Sequence, residues 1–398
     1  MALDPADTRP LCAIYVAWHP SFSSGEYTAR RLYQHFRRDL FTNVAGGVGL
    51  SVLYRSASAA TSDVPALVSF DDSHIAVVFL LVSASMAADP AWRGYAREMI
   101  ADAAERGLTA RVIPLFMDGH GRDMVGDANA LRYYEWPERD DLLEIRLIST
   151  LTHELTRMLR TYIASKEHTG VAYDQLDAYL EKLCVFLSHS KHDDYGEKIA
   201  WAIEDFLARN TALSQFFDVR DIPAGLPFPV VLERYVQRSA VVAIYTDSYS
   251  SREWCRREII EAKRADRPLV IADCIVEVDE RSFPYLGNVP VVRMEPKAIE
   301  RVPYVVARLL DEVFKDYLLS ARLAHDDRRS GSAVRFLPRT PELIALSSMR
   351  VPSGAAPPMI VYPDPPLGAE EMQLFYDVRN DLTLMSYTEY AAINGGAP

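Results

Sequence analysis

The chain has 398 residues, 49% of them hydrophobic and 25% charged, a balance typical of soluble globular proteins and a length that suggests two or three domains. Its formal net charge of -12 argues against nucleic-acid binding as its main business. No apolar run reaches the ~18 residues that span a bilayer, and the opening MALDPADTRP lacks the basic and apolar regions of a secretory leader, so a cytoplasmic protein that touches no membrane is expected.

In chain order, LCAIYVAWHP (11–20) reads as a strand ending in a polar loop, and GEYTARRLYQHFRRDL (25–40) as a helix. VGLSVLYRS (48–56), HIAVVFLLVSAS (74–85) and ARVIPLFMD (110–118) are further strands. A helix carrying Trp92 and Glu98 follows the second of them, and LLEIRLISTLTHELTRMLR (142–160) is a long closing helix. The same order then recurs. LCVFLSHS (183–190) leads to the amphipathic YGEKIAWAIEDFL (195–207), then to LSQFFDVRD (213–221) and SAVVAIYTDSYS (239–250). Another Trp- and Glu-bearing helix follows, then RPLVIADCI (267–275) and the long helix RVPYVVARLLDEVFKDYLL (301–319).

Apolar, β-branched strands alternating with helices predict parallel sheets covered on both faces. Each repeat has the size of one flavodoxin-like domain, ~140 residues. The fold class expected is therefore α/β, with two flavodoxin-like doubly wound domains in tandem and a short C-terminal βαβ segment. The boundaries expected are a first domain at 1–165, a connecting helix at 166–182, a second domain at 183–322, a linker at 323–358 and a partial α/β segment at 359–398. The linker assignment rests on the charged HDDRRSGS and the Pro/Gly/Ser-rich RVPSGAAPP. A single βαβ unit cannot bury both faces, so the last segment is expected to dock on a neighbour, pair with another chain or stay partly ordered.

Cys12, Cys184, Cys255 and Cys274 form no CxxC pair and read as free thiols in a reducing compartment. No metal-ligand spacing is present, and no cofactor or metal is expected.

Ligands of open parallel sheets bind beyond the carboxyl ends of the strands. Three loops of the second repeat lie there. The first offers Ser188, His189, Ser190 and Asp193. The second offers Arg220 and Asp221, with Pro223 and Gly225 bending the chain. The third enters YSSREWCRREI (249–259), where Ser250 and Glu253 have capping-box spacing. Cys255, Ile259 and Ala262 share a core stripe. Trp254 and Glu258, four apart, lie on the adjacent stripe, at the rim of the core. Trp254 is read equally as a stacking platform or a packing residue.

FLSHS with Asp193, FFDVRDIPAG and the Ser/Glu-Trp-Cys box together resemble the three boxes of Toll/interleukin-1 receptor (TIR) domains, over about 183–320. The resemblance implies NAD as substrate, cleaved at the nicotinamide–ribose bond, with Glu258 as the catalytic residue. It implies nucleotide contact or domain assembly for Ser188, His189, Asp193, Arg220, Asp221, Ser250 and Trp254. It further implies self-association through TIR domains, a role in bacterial antiviral defence and a defence-system partner protein. The other reading is a tandem TIR scaffold that assembles without turnover. The first repeat departs from the pattern: it lacks the Ser-His-Ser order and the Asp-Ile-Pro-Ala-Gly bend, and Glu98 stands six residues after Trp92. It resembles a diverged TIR-like or SEFIR-like domain, expected to be catalytically idle.

Overall fold

The computed structural model describes residues 9–37, 49–56, 63–167, 175–209, 215–217, 233–295, 297–325, 334–347, 349 and 357–393. The chain divides into two compact units. One comprises Met1–Ile148, Arg157–Tyr179 and Ala321–Asp326; the other comprises Ser149–Thr156, Leu180–Ser320 and Asp327–Pro398.

The first unit holds β1 (Cys12–Trp18), α1 (Gly25–Phe36), β2 (Ser51–Arg55), β3 (Ile75–Val82), α2 (Ala84–Ala88), α3 (Pro90–Glu105) and β4 (Ala110–Phe116). All strand pairs are parallel, in the order β2-β1-β3-β4. Every residue of β1 and β3 is buried, as expected of strands covered on both faces. Alternate residues sort between the two faces. Ala13, Tyr15 and Ala17 with Ala76, Val78 and Leu80 share a core with Trp92, Tyr95 and Met99 of α3. On the opposite parity, Phe79 meets Phe36 of α1 at 6.0 Å between ring centroids. Asp89 caps α3 by accepting from the N–H groups of Ala91 and Trp92, and Pro90 fills its first turn. The long α4 (Asp140–Glu167) follows, then the short α5 (Gln175–Leu180) in the segment read as a connection.

In the second unit, β5 (Cys184–Ser188), α6 (Asp194–Arg209), β6 (Gln215–Phe217) and β7 (Ala240–Tyr245) come first. α7 (Glu253–Arg264), β8 (Leu269–Asp273), β9 (Val291–Arg293) and α8 (Val302–His325) complete the repeat. The sheet is parallel in the order β6-β5-β7-β8-β9, the flavodoxin-like 2-1-3-4-5 winding. Val185, Leu187, Val242 and Ile244 pack with Ile199 and Ile203 of α6 and with Val305 and Leu309 of α8. Phe186, Val241, Ala243 and Ile271 pack on the other face with Cys255, Ile259 and Ala262 of α7. The doubly wound α/β class expected for both repeats is therefore present. Strand alternation also sends Ser188, two residues beyond Phe186, to the α7 side.

The C-terminal segment is larger than its sequence suggests. Inside the stretch expected as a linker, β10 (Val334–Phe336) and α9 (Leu343–Ser347) are ordered elements. They are followed by β11 (Met359–Tyr362), α10 (Ala369–Val378), β12 (Thr383–Ser386) and α11 (Tyr387–Ile393). The three strands form a parallel sheet, β10-β11-β12, with a core of Leu337, Leu346, Ile360, Tyr362, Phe375 and Leu384. The correction has a physical reason. β10 has only three residues, and its strand character comes from pairing Val334 with Met359 and Phe336 with Val361, distant in sequence, which no local pattern reveals.

This segment sits against α7, the helix that carries the Trp-Cys box. Lys263 of α7 donates to Glu342 (2.5 Å) and to the carbonyl of Gly287 (2.9 Å). Arg339 forms a two-pronged pair with Asp316, 2.7 Å to each oxygen. Of the three fates expected for it, docking on a neighbouring element is the one observed.

Candidate functional site

The site is built where β5 and β7 end and α7 begins. β5 delivers Ser188 to the α7 side of the sheet, and the loop 189–193 then turns into α6. Asp193 accepts from the N–H groups of Tyr195 (3.0 Å) and Gly196 (3.2 Å), so its carboxylate caps α6. The Ser248 hydroxyl lies 3.0 Å from Ser190 Oγ and 3.4 Å from Asp193 Oδ2, fastening the β7 loop to the β5 loop.

After β7 the chain makes a short 3₁₀ turn at Tyr249–Ser251 before α7. The expected capping box is not formed. α7 starts at Glu253 with Arg252 as its N-cap residue and no side-chain cap. Ser250 instead donates to Asp279, which also accepts from Tyr245 at 2.5 Å. A further carboxylate, Asp247, accepts from the N–H groups of Val276, Glu277 and Val278 at 2.8, 3.0 and 3.2 Å. Together these bonds pin the β8–β9 loop to the end of β7. The turn buries the whole of Tyr249, whose ring centroid lies 5.2 Å from that of Tyr245.

α7 places its core stripe as the spacing predicts, with Cys255, Ile259 and Ala262 buried. One stripe away, Trp254 is 40% exposed and carries the Arg257 guanidinium 4.6 Å from its ring centroid. Trp254 is therefore not a core residue. Glu258 goes deeper than a rim position: it is 7% exposed, and the only buried Asp or Glu among the described residues. Its Oε2 accepts from the Ser188 hydroxyl at 2.5 Å, and Ser188 Oγ lies 2.5 Å from the Tyr249 hydroxyl.

Glu258 and Trp254 face a cleft of about 300 Å³, the lower end of the range for small-molecule sites. His189, Lys191, His192 and Arg252 line it as well, so the walls are rich in basic groups. Burial pushes the Glu258 carboxyl up to about 7, against the opposing pull of the Ser188 hydrogen bond and the Lys191 ammonium. Burial likewise raises the Cys255 thiol to about 12 and the Tyr249 phenol well above its ordinary value, so both stay protonated near neutrality. The arrangement thus offers one carboxylate that titrates near neutral pH, a hydroxyl bonded to it and a cationic rim.

Of the residues expected at the site, Glu258, Ser188, His189 and Trp254 come together here, while Asp193 and Ser250 are committed to structural bonds. Arg220 and Asp221, with Pro223 and Gly225, lie outside the described residues. Tyr249, Lys191, His192 and Arg252 were not expected. Lys191 and His192 fall between FLSHS and Asp193, and Arg252 falls inside the Trp-Cys box, so their place within the boxes was the available signal; Tyr249 read only as a turn residue. No group of three or more His, Cys, Asp or Glu among the described residues is arranged to hold a metal ion.

The described residues of the first unit hold no counterpart. No Asp or Glu among its described residues is buried, Glu98 is exposed and Trp92 is buried, the reverse of Glu258 and Trp254. Trp18, at the end of β1, packs on Gly25, where an added Cβ would fall 2.1 Å from its ring. Glu98→Ala is accordingly expected to leave activity within twofold of the parent chain. A loss comparable with that at Glu258 would refute the assignment of an idle first unit.

Residues 185–301 match the family model described as TIR domain. The matched range contains every residue of the cleft. Among solved structures, the chain is similar to the TIR domains of the activated Roq1 resistosome directly recognizing the pathogen effector XopQ. That match has 14% identity and a TM-score of 0.22, and covers 37% of this chain and 99% of the other. A second similarity is to the C-terminal domain of glucosamine-fructose-6-phosphate aminotransferase from Francisella tularensis, at 11% identity and a TM-score of 0.19, covering 79% of this chain and 84% of the other. With TM-scores this low, neither likeness bears on function. No curated protein matches the chain.

Proposed function

We propose that the TIR domain of this chain is an NAD glycohydrolase, cleaving the nicotinamide–ribose bond to release nicotinamide and ADP-ribose or a cyclic variant of it. The observation that carries this reading is Glu258: a carboxylate buried at the strand ends, bonded on one oxygen to Ser188 and facing a cleft. NAD suits a site with one carboxylate. Its nicotinamide is cationic on nitrogen and leaves as a neutral molecule, so the leaving group needs no general acid, unlike a glycosidase with its carboxylate pair. What remains is to hold the ribose and stabilise an oxocarbenium-like transition state, which a fixed negative charge in a shielded cleft does electrostatically. The basic walls from Lys191, His189 and Arg252 suit the diphosphate. A domain used only for assembly gains nothing from burying a carboxylate whose ionisation is disfavoured there, and this weighs against the scaffold reading.

A role in antiviral defence, with activity switched on by self-association and a partner protein, completes the proposal. No helix among the described residues is long and apolar enough to cross a membrane. The test is to incubate the purified full chain with NAD, with and without crowding agent, and to separate the products. Nicotinamide release whose rate per molecule rises with protein concentration is expected. No nicotinamide under any condition would overturn the enzymatic reading. A flat rate per molecule from nanomolar to tens of micromolar, in a protein monomeric throughout, would overturn the assembly requirement alone. The second box, RDIPAGLPF, remains the segment proposed to reach a neighbour; it lies outside the described residues.

A further inference from the structure

We propose that Ser188 and Tyr249 are positioning residues for Glu258, a chain of two hydroxyls behind the carboxylate that immobilises Oε2 and leaves Oε1 for whatever occupies the cleft. The inference rests on the reading of Glu258 as the functional carboxylate, but it concerns groups that reading does not use.

The direction of the chain follows from proton counting. Ser188 has one hydroxyl proton, and it is donated to Glu258 Oε2 at 2.5 Å. The second contact of Ser188 Oγ, with the Tyr249 hydroxyl at 2.5 Å, is then a bond in which Ser188 accepts and Tyr249 donates. Burial keeps the Tyr249 phenol protonated, which suits a permanent donor. Among the described residues no other acceptor lies within hydrogen-bond distance of that hydroxyl. Reversing the chain would leave the phenol proton buried without a partner, at a cost of about 1–3 kcal/mol. The order Tyr249 to Ser188 to Glu258 gives each of these protons a partner among the described residues, and it suits the ionised carboxylate.

Ser188 is 1% exposed and Tyr249 0%, and neither lines the cleft, whereas Glu258 does. The hydroxyls thus sit on the protein side of the carboxylate and the ligand space on the other. A proton taken up by Glu258 is carried on the cleft-side oxygen, where it exchanges with solvent or ligand. Each bond in such a chain polarises the next, so Tyr249 strengthens the Ser188 bond without touching Glu258.

Other groups around Glu258 set the background. Lys191, His189 and His192 come from the loop after β5, and Arg252 and Glu253 from the start of α7. Cys255, Tyr249 and Tyr245 stand at the sheet side. Lys191 favours the ionised carboxylate, as Ser188 does, while the Cys255 thiol is neutral near pH 7. None of these changes in the variants proposed, apart from Tyr249 itself.

The experiment compares the full-length parent with Ser188→Ala and Tyr249→Phe, using two readouts. The first is the carboxyl titration of Glu258, followed by infrared or carbon NMR with isotope-labelled glutamate and assigned by its loss in Glu258→Gln. Ser188→Ala is expected to raise the midpoint by about one pH unit, the effect of losing one charge-assisted hydrogen bond, and Tyr249→Phe by a smaller step in the same direction. The second readout is the pH profile of NAD cleavage. The acid limb of kcat/KM is expected to move up with the titration, so Ser188→Ala loses about tenfold below neutrality and much less on the alkaline plateau. A merely structural role would lower activity equally at all pH values. A Glu258 midpoint that stays put in both variants overturns the inference. If the parent chain does not cleave NAD, the titration still decides: a shifted midpoint upholds the hydroxyl chain while the glycohydrolase reading falls.

Discussion

Glu258→Gln is expected to lower NAD cleavage by about 10²–10³-fold, the usual effect of removing one preorganised electrostatic contact to a transition state. Gln keeps the shape and the bond from Ser188 but cannot carry the charge. The same variant is expected to gain stability in alkali. The Glu258 carboxyl sits at about 7 in the folded chain against an ordinary 4.5. A raised acid contributes its stability below the ordinary value and loses it as pH rises through the folded value. At about pH 8 the parent therefore bears the cost of a buried charge, on the order of 3 kcal/mol. Urea titrations should find Glu258→Gln more stable than the parent near pH 8 and equal to it near pH 4.5. A variant that keeps parental turnover would refute the role of Glu258. One that is less stable than the parent at both pH values would refute the account of its burial.

Glu258 stood out because four-residue spacing links it to Trp254 and because three boxes fall in register across the second repeat. The strands were legible for a simple reason: β1, β3, β5 and β7 are apolar runs, and burial on both faces leaves room for nothing else. The partners of Glu258 were harder to read. Ser188 reaches it across 70 residues of chain and Tyr249 reaches Ser188 across 61, contacts that depend on strand register rather than on any local pattern. Ser250 looked like a cap because Glu253 follows three residues later, but Asp279 offers it a carboxylate and the 3₁₀ turn moves the helix start past it. Asp193 reads from the sequence as either a ligand contact or an N-cap residue, and its bonds to the Tyr195 and Gly196 N–H groups fit the cap.

The other large effect concerns the pair that joins α7 to the C-terminal segment. The Lys263 side chain is 7% exposed and that of Glu342 17%, so both charges have left most of their water. Burial pulls the Lys263 ammonium below its ordinary range, against the opposing influence of Glu342. Such a pair contributes little net stability, because desolvation offsets the attraction, but breaking it from one side exposes the full cost of the charge left behind. Glu342→Leu is expected to destabilise the protein by about 3–5 kcal/mol, since Lys263 keeps only the carbonyl of Gly287. Lys263→Met is expected to cost less, because the more exposed Glu342 regains water more readily. The double variant Lys263→Met/Glu342→Leu should return to within about 1–2 kcal/mol of the parent, as apolar groups of similar volume replace both charges. Lys263 lies in the same helix as Glu258, little more than one turn further on, so NAD cleavage should follow the same order: impaired in Glu342→Leu and restored in the double variant. Denaturation midpoints of the four proteins form a double-mutant cycle. Simple additivity of the two single losses would show that the charges do not act as a pair. Loss of stability with cleavage unchanged in the folded fraction would show that the C-terminal segment is anchored to α7 without helping to hold Glu258 in place.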